Sequence, residues 1–401
     1  MNIYTSFVLQ AYDRITTDYW QSSAEYQASN FGGLPALFQE TLQKVTGVAY
    51  PLSSRADLVR ALDIIFANTT DADVSEKRAA TIVATAVDNM WPHTVPNRNA
   101  LTIDQTEQVF QNTVNNQHPE RDRYAALGLR EADKKSYTRM DIDTALAQKQ
   151  KELAASTSVA AVRQLQEAKN AYTILSDTNS KARYDVAKAE PTLSWKIISD
   201  VLYIKISQNA SQTAHEFTEA IDAAIRRHPG LTSIILDLRG NLGGYDTVTS
   251  EIVGDFAGSS TPFYAVKVNG GIQQFVTSTD TLPMLRTFRS RVILIDGNTK
   301  STGELMSQAL RRSGSFILVG TTTGGWGTIE NGKVFPLGSS FVSGNQYFLR
   351  LVIGATLTDS FQLVEGLGIR PDIDVSTQSW RADLKRNFPG SSLPGVVSSL
   401  F

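Results

Sequence analysis

From residue 195 onward the chain alternates short apolar runs with amphipathic stretches, and that order restricts the fold more than any other feature. VLYIKI (201–206) alternates and is β-branched, as a strand requires. TAHEFTEAIDAAIRRH (213–228) has helical spacing. SIILDL (233–238) is a buried strand, YDTVTSEIVGDF (245–256) the next helix, and VILI (292–295) a further buried strand. A βαβα order with right-handed crossovers predicts a mainly parallel sheet with helices on its faces. Function is then expected at the carboxyl ends of the strands. Two such ends are RGNLGG (239–244) and DGNTKS (296–301).

The second of these, VILIDGNTKSTGE (292–304), places a strand, a Gly-bearing turn and a helix start in succession. Ser301 then stands where free backbone N–H groups and the positive end of the helix dipole gather. A serine nucleophile would have its oxyanion stabilised there. The plainer alternative is a capping box, with Ser301 or Thr302 as N-cap and Glu304 three residues on.

At 401 residues the chain suggests two or three domains. It is 41% hydrophobic and 19% charged, enough for a sizeable core, and its net charge of -2 argues against a nucleic-acid partner. The absence of Cys excludes disulfides and a cysteine nucleophile, and the four histidines match no metal-ligand spacing, so no metal or cofactor is expected. Neither glycine-rich loop has a nucleotide-binding pattern. No run is long enough for a transmembrane helix, and MNIYTSFVLQAYDR lacks the basic start of a signal peptide.

Residues 1–90 read as amphipathic helices, closed by the extended MWPHTVP segment (90–96) with His93. Residues 97–121 read as helix plus linker, with His118 in a solvated loop; His215 and His228 read as structural. After 302–312 come a strand SFILVG (315–320), a Gly-rich loop (321–330), a long strand (347–357) and a Pro/Gly/Ser-rich tail.

Residues 122–186 resemble a J domain. The carriers are Tyr124, Leu127 and Gly128, then the run from Ala168 to Asp177, then Arg183, Tyr184 and Asp185. The family's His-Pro-Asp tripeptide is missing, and Ala-Ser-Thr-Ser (155–158) stands between the two long helices. The resemblance therefore implies a helical-hairpin module for packing or binding, without co-chaperone activity.

The C-terminal half resembles the tail-specific, or C-terminal processing, serine peptidases and their tricorn-type relatives. DLRGNLGG (237–244), TKSTGE (299–304), VGTTTGGWG (319–327) and EGLGIRPDIDV (365–375) stand in family order. The resemblance implies a helical N-terminal region (1–121), the J-like module (122–186) where a PDZ domain is usual, and a crotonase/ClpP-like α/β core (187–401). It implies an endopeptidase acting on polypeptides through an acyl-enzyme, without cofactor. Ser301 would be the nucleophile, and the N–H groups of Gly244 and Thr302 the oxyanion hole. Asp237 and Arg239 would hold the loop rather than react. Exported settings are usual in the family, so an extracytoplasmic location is implied, with a cytoplasmic one still open. The oligomeric state is left unspecified.

A serine hydroxyl needs a base. The processing branch takes a Lys from a Thr-Phe-Gly-Lys-Gly loop, but here Trp326 holds that position, and an indole N–H only donates. Glu330 stands where that branch often has Gln. Three readings remain. In a tricorn-type triad, His93 is the base and Glu365 orients it. Alternatively Lys300, adjoining the nucleophile, is a substitute base. In the third, the protein is a pseudoprotease that binds peptides without turnover.

Overall fold

The computed structural model describes residues 2–21, 33–67, 69, 71–92, 98–154, 156–334, 341 and 343–401. Strands are numbered along the chain: β1 (Ala100–Ile103), β2 (Leu193–Ile198), β3 (Val201–Ile206), β4 (Ser233–Asp237), β5 (Pro262–Val268), β6 (Gly271–Val276), β7 (Ser290–Ile295), β8 (Ile317–Gly320), β9 (Thr328–Val334), β10 (Tyr347–Leu357) and β11 (Ile373–Asp374). The chain divides into two compact units, neither contiguous in sequence.

The first unit comprises Met1–Phe110, Gly258–Ser278 and Thr322–Arg370. The predicted N-terminal helices form at Ile3–Asp18, Gly33–Thr46, Arg55–Ala67 and Ala72–Asp88. Asp71 caps the last of these by accepting from the N–H groups of Asp73 and Val74. Their apolar faces, with Phe7, Phe38, Leu62 and Val83, share one core with Leu349, Leu351 and Ala355 of β10. β10 is the spine of an antiparallel sheet ordered β1-β10-β5-β6, and β9 also pairs with β10. One expectation changes here. Residues 100–103, read as helix plus linker, are a strand, and the helix starts at Asp104. The expected long strand 347–357 forms, and it lies in this antiparallel sheet.

The second unit comprises Gln111–Ala257, Thr279–Thr321 and Pro371–Phe401. It holds the predicted βαβ sheet, in the order β11-β8-β7-β4-β3-β2. All neighbours are parallel except β2 and β3, which form a hairpin. The central strand β4 is buried on both faces, as its unbroken apolar sequence requires. The tail, read as fading into Pro/Gly/Ser-rich sequence, instead forms helices Trp380–Asn387 and Leu393–Ser399. Their Trp380, Leu384, Leu393 and Val397 pack on the core around Ile235 and Leu294.

Residues 123–187 carry a small core of their own. Helices Arg139–Leu153 and Val159–Leu175 form a hairpin, and Thr178–Ala187 follows. Tyr124, Ile142, Ala168, Ala171 and Tyr184 are buried together. Asp185 accepts from the Tyr124 hydroxyl at 2.7 Å, and Tyr184 donates to the Arg121 carbonyl. Of these, Tyr124, Ala168, Ala171, Tyr184 and Asp185 are residues that carry the J-like resemblance.

Candidate active site

β7 ends at Ile295, and Thr299 closes the following turn. Its N–H and hydroxyl bond to the Asp296 and Leu238 carbonyls, respectively. Ser301 is the N-cap of helix Thr302–Gly314, and Glu304 completes the capping box by accepting from Ser301 N–H at 2.9 Å. The two sequence readings of Ser301 therefore coincide. The backbone separates them: Ser301 has φ 53° and ψ -126°, whereas an ordinary N-cap is extended with negative φ. A serine in this conformation stores about 1–3 kcal/mol of strain, the kind found where a side chain must be aimed.

The RGNLGG loop explains that conformation. Gly243 (φ 91°) lies against Ser301, and a Cβ there would sit 2.6 Å from Ser301 Cβ and 3.0 Å from the Lys300 carbonyl oxygen. Gly244 (φ 143°) presses on Asn209, where a Cβ would sit 2.3 Å from its carbonyl oxygen. Only glycine fits either place. Among the described residues, the N–H groups of Gly244 and Thr302 donate to no protein acceptor, although Gly243, Tyr245, Gly303 and Glu304 around them all do. Two unused N–H donors beside a hydroxyl are what an oxyanion needs.

Two buried asparagines hold these segments in register. Asn241 donates to the Ile206 carbonyl and to Asn209 Oδ1, and its own Oδ1 accepts from Gly243 N–H at 2.7 Å. Its backbone carbonyl accepts from Lys300 N–H at 2.8 Å. Asn209 donates to the hydroxyls of Thr249 and Thr302, both at 2.9 Å. Both side chains are fully buried. The sequence reading singled out Asn241 only as part of the loop and passed over Asn209, which follows β3 in an unremarked SQNAS stretch.

Asp237 and Arg239 hold the loop from below. Arg239 makes a bidentate pair with Asp237 at 2.9 and 2.6 Å, and Tyr203 donates to the same carboxylate at 2.7 Å. Burial alone would raise the Asp237 carboxyl, but the hydrogen bonds from Arg239 and Tyr203 hold it below the usual carboxylate range. Lys300 is half-buried and directly precedes Ser301.

The first unit contains Glu365, Trp326 and Glu330, and these converge on one buried arginine. Arg98 donates to Glu365 at 3.1 Å and to Glu330 at 3.4 Å, and its guanidinium lies 3.5 Å from the Trp326 ring centre. Trp326 Nε1 donates to Glu330 at 3.2 Å, and Gly327 N–H donates to Glu365 at 2.7 Å. Burial pushes the Glu330 carboxyl up to about 7. Burial also raises Glu365, against the pull of Arg98. Arg98 escaped the sequence reading because a lone Arg after a proline carries no pattern. His93 lies outside the described residues. Ser301, Gly244 and Thr302 are thus brought together in one unit, and Glu365 belongs to the other.

Among the described residues, no group of three or more His, Asp or Glu side chains could hold a metal ion, and no helix is long and apolar enough to cross a membrane.

Ser301 thus stands at positive φ between a parallel strand and a helix, pressed by the Gly243 backbone. Residues 200–375 match the model of Peptidase family S41. The chain is 28% identical over 170 residues to the carboxy-terminal processing protease CtpA of Bacillus subtilis, covering 42% of this chain and 34% of the relative. It is 25% identical over 205 residues to CtpB of the same organism, covering 49% and 40%. The matches thus span well under two thirds of these relatives' length. Among solved structures, a photosystem II D1 C-terminal processing protease aligns with TM-score 0.39 and 15% identity, over 47% of this chain and 49% of that one. The tricorn protease aligns with TM-score 0.31 and 20% identity, over 44% and 15%.

Proposed function

We propose that this protein is a serine endopeptidase that cleaves polypeptides by acyl transfer. Ser301 Oγ attacks the scissile carbonyl. The N–H groups of Gly244 and Thr302 receive the oxyanion, His93 takes the serine proton and returns it to the leaving amine, and water then releases the acyl group. Glu365 orients the imidazole. A carboxylate fixed by Gly327 N–H and Arg98 supports that role, because an orienting group must not wander. The observation that carries the reading is the positive φ of Ser301 beside two unused N–H donors.

A second reading, a peptide-binding pseudoprotease, is favoured by Trp326. The indole stands at the position of the processing branch's Lys, and its N–H is committed to Glu330. Lys300 is the remaining alternative base, adjacent to the nucleophile. In either reading we take 122–186 as the J-like module, the six-stranded sheet as a crotonase-like core, and the setting as extracytoplasmic, following the family.

Labelling with a fluorophosphonate probe, together with casein cleavage, tests the proposal. Both are expected in the wild type and absent in Ser301→Ala. Labelling and cleavage that persist in Ser301→Ala would overturn the nucleophile. Absence of both in a folded wild type would leave the pseudoprotease. Cleavage lost in Lys300→Ala but kept in His93→Ala would move the base to Lys300.

A further inference from the structure

Among the described residues the six-stranded sheet ends at β2, which pairs there with β3 alone, so one side of β2 is open. Its hydrogen-bonding phase follows from the hairpin. Ser207 N–H donates to the Thr192 carbonyl at 2.8 Å, which makes that pair a bonded one. Bonded pairs recur every second residue, so Ser194, Lys196 and Ile198 spend their backbone groups on β3. Trp195 and Ile197 then direct their N–H and C=O groups outward. The open edge thus presents two residues' worth of unpaired ladder.

Beside that edge lies an open groove of about 660 Å³ lined by Thr173, Ser176, Trp195, Lys196, Ile197, Arg227 and His228. Among the described residues no carboxylate lines it. Arg227 stacks on the Trp195 ring at 5.1 Å and Lys196 on the Tyr203 ring at 5.3 Å; neither has a carboxylate partner among the described residues. A lysine alone is a common guard on an edge strand. An arginine held over an aromatic floor, with a histidine beside it, goes beyond guarding. Arg227 and His228 end helix Thr213–Arg227, which leads into the start of β4. The groove therefore lies toward the end of the sheet opposite Ser301, which follows the carboxyl end of β7.

We infer that the open edge of β2 docks an extended acidic peptide, which adds a strand to β2 and sets its carboxylates against Lys196 and Arg227. Backbone groups of Trp195 and Ile197 supply the pairing, and the two cations select for charge. The inference does not depend on turnover at Ser301.

The test uses the whole protein and a fluorescein-labelled peptide of Glu-Glu-Val repeats, which carries Glu on both faces of a strand, read by anisotropy at low salt, with Trp195 fluorescence as a second signal. Saturable binding is expected. It should weaken at least tenfold in Lys196→Glu with Arg227→Glu, and fall steeply with salt. Ile197→Pro removes an outward N–H without breaking a bond to β3, and should weaken binding to a similar degree. If that variant fails to fold, the same peptide N-methylated at alternate residues is used on the wild type. Full binding of the methylated peptide in both phases, or equal binding of a peptide of Lys-Lys-Val repeats, would overturn the inference. So would oligouridylate binding through the same residues with no binding of the acidic peptide.

Discussion

Arg98 sits between the carboxyl groups of Glu365 and Glu330 with its guanidinium face 3.5 Å from the Trp326 ring centre, so one buried cation clamps all three side chains. Arg98 is 2% exposed. Removing it would strand two buried carboxylates. Arg98→Met is expected to cost about 3–5 kcal/mol, measured by urea unfolding, well beyond the loss from Arg60→Met in an exposed pair.

The Glu330 carboxyl titrates near 7, against 4.5 for the ordinary group. The folded state therefore holds its proton where the unfolded state has lost it. Stability from this group is full below about pH 4.5, falls between pH 4.5 and 7, and is flat above. The loss is on the order of 2–3 kcal/mol, since Glu330 is largely shielded. Urea midpoints across this range should decline in the wild type and decline less in Glu330→Gln.

Gly243→Ala would force a Cβ to within 2.6 Å of Ser301 Cβ at a positive φ. A loss of about 2 kcal/mol or more is expected in thermal or urea unfolding, with fluorophosphonate labelling abolished. Gly240→Ala, also at positive φ but facing open space, should cost about 1 kcal/mol and leave labelling in place. Equal loss of labelling in both would mean the close approach at Gly243 is unimportant.

Asn241→Ala leaves the Gly243 N–H and the Ile206 carbonyl without their partner inside the core. The expected cost is about 2–3 kcal/mol, with labelling slowed more than tenfold because the Gly-Gly segment loses its register. Asn241→Asp should not rescue it, since a carboxylate cannot donate to Ile206. Labelling at the wild-type rate in Asn241→Ala would remove the asparagine from the site's support.

The strand–turn–helix at 292–304 was legible because each part is local: an apolar run, turn residues, a capping pair. The Asp237–Arg239 brace was legible for the same reason, two residues apart on one loop. Asn209 was not, because its role consists of contacts 40 and 93 residues away, at Thr249 and Thr302. The β5–β6 hairpin carried an Asn269-Gly270 turn signal that went unused. The tail helices were obscured by composition: Ser392, Pro394 and Gly395 suggest a coil, yet Leu393 and Val397 find a core to bury in. The buried carboxylates around Arg98 depend on residues 230 and more positions apart, which no periodicity reveals.

The chain passes between its two units at residues 110, 257, 278, 321 and 370. The β1–β10 ladder joins Ala100 to Arg350, and β11 reaches its place on β8 only at Ile373. On the ribosome, therefore, neither unit can close until nearly the whole sequence has emerged, and the segment bearing Ser301 is made well before its sheet is complete. No contiguous fragment of the gene encodes either unit, so deletion mapping would report both halves as indispensable wherever the cut falls. Long-range pairing of this kind slows folding and leaves open strand edges waiting. A chain built this way is expected to depend on its full length for solubility before it depends on it for activity.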